Sequence, residues 1–199
     1  MIVTVAGFKG GIGKSTTAIH IAGYLHQLAP TLLVDGDPNR SATTWARHGK
    51  LPFTVVDERQ ATKQAREGSY EHIIFDTKAR PERDELKQLV AGCDFMIIPS
   101  SPETLAVDAL LRTVDDLQVL GSSNYRILIT MVPPIPNRDG EALREQLQAA
   151  DLPIFSQMIP LLAAFRKATA DGVLVRDVDD PRAPRAWQSY EDACKEVFV

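Results

Sequence analysis

Cysteine is nearly absent from this chain: Cys93 and Cys194 are the only two. They stand far apart, form no CxxC pair, and neither follows a strand end where an iron–sulfur or zinc site would need it. A reduced, cytosolic setting suits them. Long apolar runs are missing too, and nothing approaches the roughly 20 residues that span a bilayer. The apolar stretch Met1–Gly7 is too short for a signal-peptide core and lacks a basic leader. The expected location is therefore cytoplasmic. Nor is there an excess of positive charge: 22 Lys and Arg face 26 Asp and Glu, a net charge of −4. That balance argues against a protein that coats nucleic acid by bulk charge, and leaves a local basic patch open. No repeat, low-complexity tract or linker divides the chain, so residues 1–199 are expected to form one domain. With 44% hydrophobic residues it can bury a full core.

What is present is an alternation. Strands are expected at Ile2–Val5, Thr31–Val34, Phe53–Val56, Ile73–Phe75, Phe95–Ile98 and Arg126–Met131, with Ile154–Met158 a weaker seventh. Between them, Lys14–Leu28 sets Ala18, Ile21, Ala22, Leu25 and Leu28 on one helical face. Further helical patterns fall near Ser41–Arg47, Arg83–Ala91, Thr104–Leu120, Glu141–Ala150 and Ala183–Val197. Strands such as FMIIP and RILITM are apolar on both sides, as a covered parallel sheet requires. The expected fold is α/β: a doubly wound, mostly parallel sheet with helices on both faces. In such sheets ligands sit outside the carboxyl ends of the strands.

The first strand runs into FKGGIGKSTT. Glycines at positions 10, 11 and 13 allow backbone N–H groups to converge on phosphate oxygens, and the following helix adds the partial charge of its N-terminus. Lys14 would reach the β- and γ-phosphates, and the Ser15 hydroxyl would coordinate magnesium. The usual phosphate-loop pattern needs a glycine five residues before Gly13; Phe8 stands there and Gly7 is one place early. A variant with a second lysine, Lys9, fits instead. The phosphate-binding set is then Lys9, Gly10, Gly11, Ile12, Gly13, Lys14, Ser15 and Thr16.

Two carboxylates, Asp35 and Asp37, straddle a glycine at the end of the second strand. Consecutive strands of a β-α-β unit usually neighbour each other, which would put both beside the phosphate loop. Asp37 would position the attacking water and Asp35 would support the magnesium shell; the alternative for both is a turn that caps the next helix. The strand HIIFDT ends in Asp76, placed to hold magnesium as the second half of the site. Around Thr130, Met131, Val132 and Pro133, apolar groups offer a platform for adenine, or else simply end a strand.

At KGGIGKST, DGDPNRSATTWA and HIIFDT the sequence resembles the ParA/MinD family of deviant Walker ATPases. The likeness continues in IIPSSPETLAVDAL and, more faintly, in the closing segment from Ile159. The short length resembles the compact branch that includes small plasmid-partition ATPases and the McdA-type proteins that space carboxysomes. The resemblance implies ATP and magnesium as cofactors and slow hydrolysis stimulated by a partner. It also implies a homodimer in the ATP state, with Lys9 reaching the partner subunit's phosphates while Lys14, Ser15 and Thr16 act within their own. A second cation recruited only in the dimer would make ATP the dimer's glue. Where the family commonly has Thr-Pro-Pro or small residues after the magnesium aspartate, this chain has Thr77-Lys78-Ala79-Arg80-Pro81. Lys78 and Arg80 there could touch phosphate or a partner protein, or be solvated.

Family members of this shape bind nonspecific double-stranded DNA as ATP dimers on the nucleoid, and an adaptor on the cargo, ParB-like or McdB-like, triggers hydrolysis. Residues 160–199 carry six cations against seven acidic residues, so no basic run marks a DNA surface. Arg166, Lys167, Arg182 and Arg185 are the candidates, each duplicated by a two-fold axis; salt-bridged or solvated surface is their alternative. A MinD-like protein would end in a basic amphipathic helix, and the acidic tail SYEDACKEVFV gives no expectation of a membrane partner. A metabolic enzyme of the dethiobiotin synthetase kind would share the sheet without needing Lys9.

Overall fold

The computed structural model describes residues 1–198. Six strands, β1 (Ile2–Gly7), β2 (Thr31–Asp35), β3 (Thr54–Asp57), β4 (His72–Ala79), β5 (Phe95–Ser100) and β6 (Tyr125–Ile129), form one sheet in the order β3-β2-β4-β1-β5-β6. Every neighbouring pair is parallel. Among the described residues eight α-helices accompany them: α1 (Lys14–Leu25), α2 (Ser41–Ala46), α3 (Glu58–Glu67), α4 (Arg83–Gly92), α5 (Thr104–Val119), α6 (Asp139–Ala149), α7 (Ala163–Asp171) and α8 (Ala183–Lys195). The sheet is covered on both faces, as the two-sided apolar strands require. One core joins β1 and β4 to α1, α2, α7 and α8 through Ile21, Trp45, Ile74, Ala164 and Tyr190. A second lies under α4, α5 and α6, centred on Leu86, Leu117, Ile127 and Leu147. A smaller third, with Leu32 and Val34, sits beneath α3.

Helix α1 stops at Leu25 rather than Leu28, and Leu28 is 59% exposed. The N–H groups of Gln27 and Leu28 bond three residues back, to Tyr24 and Leu25, in a tightened turn before Pro30. A proline lacks an N–H and disfavours helix at the residue before it. Because α8 and the turn at Val175–Asp177 close over its outer side, α1 is buried almost all round from Thr17 to Leu25.

No seventh strand forms among the described residues. The segment expected at Ile154–Met158 pairs with β6 through one isolated bridge, Ile127 with Ile154; a second, Val132 with Pro160, lies beyond both. The N–H groups of Ser156 and Gln157, which could have continued a ladder, donate instead to the Glu196 carboxylate at 2.8 and 2.9 Å. Helices α3 and α7 were not expected. In α3, only Ala61 and Ala65 of the sequence ERQATKQARE reach the core, so the segment has almost no apolar period to read; the Asp57 side chain caps it, accepting from the Gln60 N–H at 3.1 Å. Strands β1 and β2 are also not neighbours, contrary to expectation: the β1-α1-β2 crossover passes over β4, which lies between them.

Candidate functional site

The phosphate loop spans the gap between β1 and α1. Gly11 and Gly13 take left-handed backbone angles, φ 77° and 83°, which a side chain would strain. Gly13 caps α1 without a side-chain bond, so the first N–H groups of the helix remain available to an anion. The Ile12 carbonyl accepts from the Thr130 hydroxyl at 2.8 Å, which ties the loop to the end of β6. Gly7 gains a role that its displaced position in the motif did not suggest. A Cβ there would stand 2.6 Å from Ile12 Cδ1 and 3.1 Å from Lys14 Cδ, so the glycine clears the path of the Lys14 side chain.

Strand register assembles the acidic residues by a different route from the one expected. Asp76 on β4 lies opposite Val5 on one side and Asp35 on the other. The loop beyond β2 then folds back, the Gly36 N–H donating to the Asp76 carbonyl at 2.8 Å. This brings Asp37 Oδ2 to 4.0 Å from Lys14 Nζ, with both side chains buried. The other oxygen of Asp37 accepts from the Asn39 N–H at 2.9 Å, a turn bond that holds the carboxylate in place.

Asp35 and Asp76 are bonded quite differently. Asp35 Oδ1 accepts from the Asp37 N–H at 3.1 Å, and Oδ2 accepts from both the N–H and the hydroxyl of Thr43 at 2.7 Å. It organises the loop and the start of α2, the arrangement of the capping alternative. Neither oxygen of Asp76 has a partner, although both are buried. Burial pushes its carboxyl up to about 7, against the nearby Ser15 hydroxyl and Lys14 ammonium that lower it; Asp35 and Asp37 raise it further. A buried, unpartnered carboxylate beside Ser15 is a donor set that suits a hard cation.

Lys9 stands apart from this cluster. Its ammonium donates to Glu103 Oε2 at 2.7 Å, at the N-terminus of α5. Of the two cations after Asp76, Lys78 is tied to Glu85 at 2.6 Å and lines a groove of about 430 Å³ between α3 and α4. Arg80, at φ 59°, turns its Nε to the Phe8 carbonyl. At the expected adenine platform, Pro133 lines a second groove of about 270 Å³ with Val132, Pro160, Leu161 and Leu162. Met131, at φ 54°, is 37% exposed and does not line it.

Arg166 and Lys167 lie on α7, with Arg182 and Arg185 at the start of the adjoining α8. Arg166, Arg182 and Arg185 are exposed. Lys167 is engaged with Asp180 at 2.8 Å, the salt-bridged alternative. Sequence reasoning missed Glu103, Thr43 and His20. All three act through long-range or loop contacts that have no period or spacing to announce them.

No helix among the described residues is long and apolar enough to cross a membrane. Residues 3–175 match the CobQ/CobB/MinD/ParA nucleotide binding domain. The chain is 30% identical to Maintenance of carboxysome distribution protein A of Gloeobacter kilaueensis, over 98% of this chain and 93% of that one. It is 30% identical to Protein ParA of Rhizobium radiobacter over 67% of this chain and 65% of that protein. Among solved structures, an ATP complex of McdA from Cyanothece superposes with a TM-score of 0.77 at 18% identity, covering 100% of this chain and 96% of that one. A plasmid partition protein from Borrelia burgdorferi bound to AMPPNP gives 0.75 at 20% identity, over 98% and 96% of the two chains. The chain therefore belongs to the CobQ/CobB/MinD/ParA family of nucleotide-binding domains, among its ParA- and McdA-type ATPases.

Proposed function

We propose that this chain is one ATPase domain that binds ATP with magnesium and forms a sandwich homodimer only in the ATP state. On nonspecific nucleoid DNA the dimer positions a cargo, either a plasmid or a protein organelle of the carboxysome kind. A cargo adaptor, ParB-like or McdB-like, stimulates its hydrolysis. The observation that carries this reading is the division between the two loop lysines. Lys14 is buried against Asp37, within its own subunit's site. Lys9 lies outside that cluster, its side chain 24% exposed and bonded to the 71% exposed Glu103, where another subunit could take it up.

Within one subunit, Lys14 and the N–H groups at the start of α1 bind phosphate. Ser15 and Asp76 would hold the magnesium ion, which neutralises charge on the transferring phosphate. Gly10, Gly11, Ile12, Gly13 and Thr16 shape the cradle, and Asp37 orients the attacking water. Turnover is slow because Arg40 and Arg80, on loops at the same edge, donate to the carbonyls of Asp35 and Phe8 and supply no arginine finger. Adenine takes the groove edged by Pro133, with Met131 at the neighbouring turn. Arg166, Arg182 and Arg185 contact DNA phosphates, and Lys167 joins them on leaving Asp180.

Light scattering of an Asp37→Ala protein tests the proposal. A dimer is expected with Mg-ATP and a monomer with ADP; a monomer under saturating ATP would sink the sandwich reading. Fluorescence anisotropy on random duplexes tests the DNA step. Arg185→Ala removes one contact from each subunit, and so should flatten the log K against log salt slope by about 2. Equal binding with ATP and ADP, or none with either at low salt, would remove DNA as the matrix.

A further inference from the structure

Strands β1 and β5 are hydrogen-bonded neighbours, so the loops that leave their carboxyl ends run side by side. One carries Lys9 and the other Glu103. Their contact at 2.7 Å joins residues 94 positions apart in the chain. The two ends differ in freedom. The Glu103 backbone is fixed, its carbonyl accepting from the N–H groups of Ala106 and Val107 in the first turn of α5. Lys9 precedes Gly10 and Gly11, where an added Cβ would meet nothing within 4 Å, so its loop has room to move.

We infer that Glu103 is a positioning residue for Lys9: it holds the ammonium within the free subunit and must release it before Lys9 can reach a partner's phosphates. This rests on the trans role proposed for Lys9. The ammonium has one place to be, and the carboxylate and the phosphates compete for it. A triphosphate carries more negative charge than a single carboxylate and wins the exchange; a diphosphate has less to offer. The latch therefore sharpens the distinction between ATP and ADP and suppresses pairing of empty subunits. Release is inexpensive for Glu103. Its side chain is 71% exposed, so water takes the place of the ammonium, and the positive end of α5 still favours its charge. Exposed pairs of this kind shift an equilibrium by up to about fivefold. Two latches open per dimer, so the dimer constant should move by about twofold to about twenty-fivefold.

The test measures dimer dissociation constants by sedimentation in Mg-ATP, with Asp37→Ala as the parent so that nucleotide persists. Glu103→Gln should tighten the dimer by that factor and raise the amount formed with ADP. Glu103→Asp should stay near the parent, and the melting midpoint should not move. If Glu103→Gln leaves the dimer unchanged or weaker while Lys9→Ala remains monomeric, the latch is overturned and the trans lysine stands. If Lys9→Ala dimerises like the parent, both fall together.

Discussion

Asp35 and Asp76 end adjacent strands in the same register, and both are fully buried. One is saturated with hydrogen bonds and the other has none. Equal burial thus conceals opposite energetics. A carboxylate that accepts three donors repays its desolvation, whereas one that accepts none holds a debt that only a ligand can clear. The difference separates a residue that builds the loop from the residue proposed to hold the ion.

Substituting both residues alike breaks the comparison most directly. Asp35→Asn turns an amide N–H toward donors in Thr43 or Asp37 and should destabilise the fold by about 4 kcal/mol, read by urea denaturation. A loss below about 1 kcal/mol would mean that those bonds do not hold the loop.

His20 extends the contrast to a group whose bonds are satisfied in only one charge state. Its Nδ1 meets the Thr16 carbonyl at 2.6 Å and so carries the proton, while Nε2 accepts from the Val175 N–H at 3.1 Å. Burial lowers its pKa from 6.5 to about 4, against the raising effect of the Thr16 bond, and Arg176 lowers it further. The unfolded chain takes up a proton below 6.5 that the folded state refuses, so stability is present above that pH and is lost as pH falls toward 4. The expected loss is about 3 kcal/mol, and His20→Gln should remove that part of the pH dependence. An unchanged profile in the variant would place the acid sensitivity elsewhere.

Asp76→Asn should act with the opposite sign to Asp35→Asn. Removing an unpartnered buried charge is expected to stabilise the nucleotide-free protein by about 2 kcal/mol at pH 8, while magnesium-dependent nucleotide binding is lost. Destabilisation would make Asp76 a second structural carboxylate. The smallest effect is expected at Gly7, whose hydrogen faces Lys14, the lysine beside Asp37 and Asp76. Gly7→Ala should crowd Ile12 and Lys14, and weaken ATP by about fivefold for about 1 kcal/mol of strain, measured by nucleotide titration.

Much of this was legible in the sequence. The parallel sheet could be read because its strands are apolar on both sides, and the phosphate loop because glycine spacing and a lysine at a helix start have a single economical use. Asp37 and Asp76 could be read as strand-end carboxylates. The bonding that separates Asp35 from Asp76 could not, because it depends on Thr43 and on a loop whose path no spacing records. The order of β1, β4 and β2 was hidden for a related reason: local pattern identifies strands without saying which one intervenes. Helix α3 was missed because its stability comes from a cap and two alanines rather than an apolar stripe. The failed seventh strand turned on Glu196, far along the chain.

The enclosure of α1 has a mechanical consequence. Thr17 meets the Tyr190 hydroxyl at 3.1 Å, His20 receives the Val175 N–H, and its ring stacks on Tyr190 with centroids 4.8 Å apart. The helix that begins at the phosphates is thereby bolted to the frame that bears Arg166, Arg182 and Arg185. A close-packed block of this kind does not bend in proportion to a push; it moves whole or not at all. In the proposed dimer, news of the nucleotide should then reach those arginines as a change in how two rigid bodies face each other, with each subunit working as a lever and the shared nucleotide as its fulcrum.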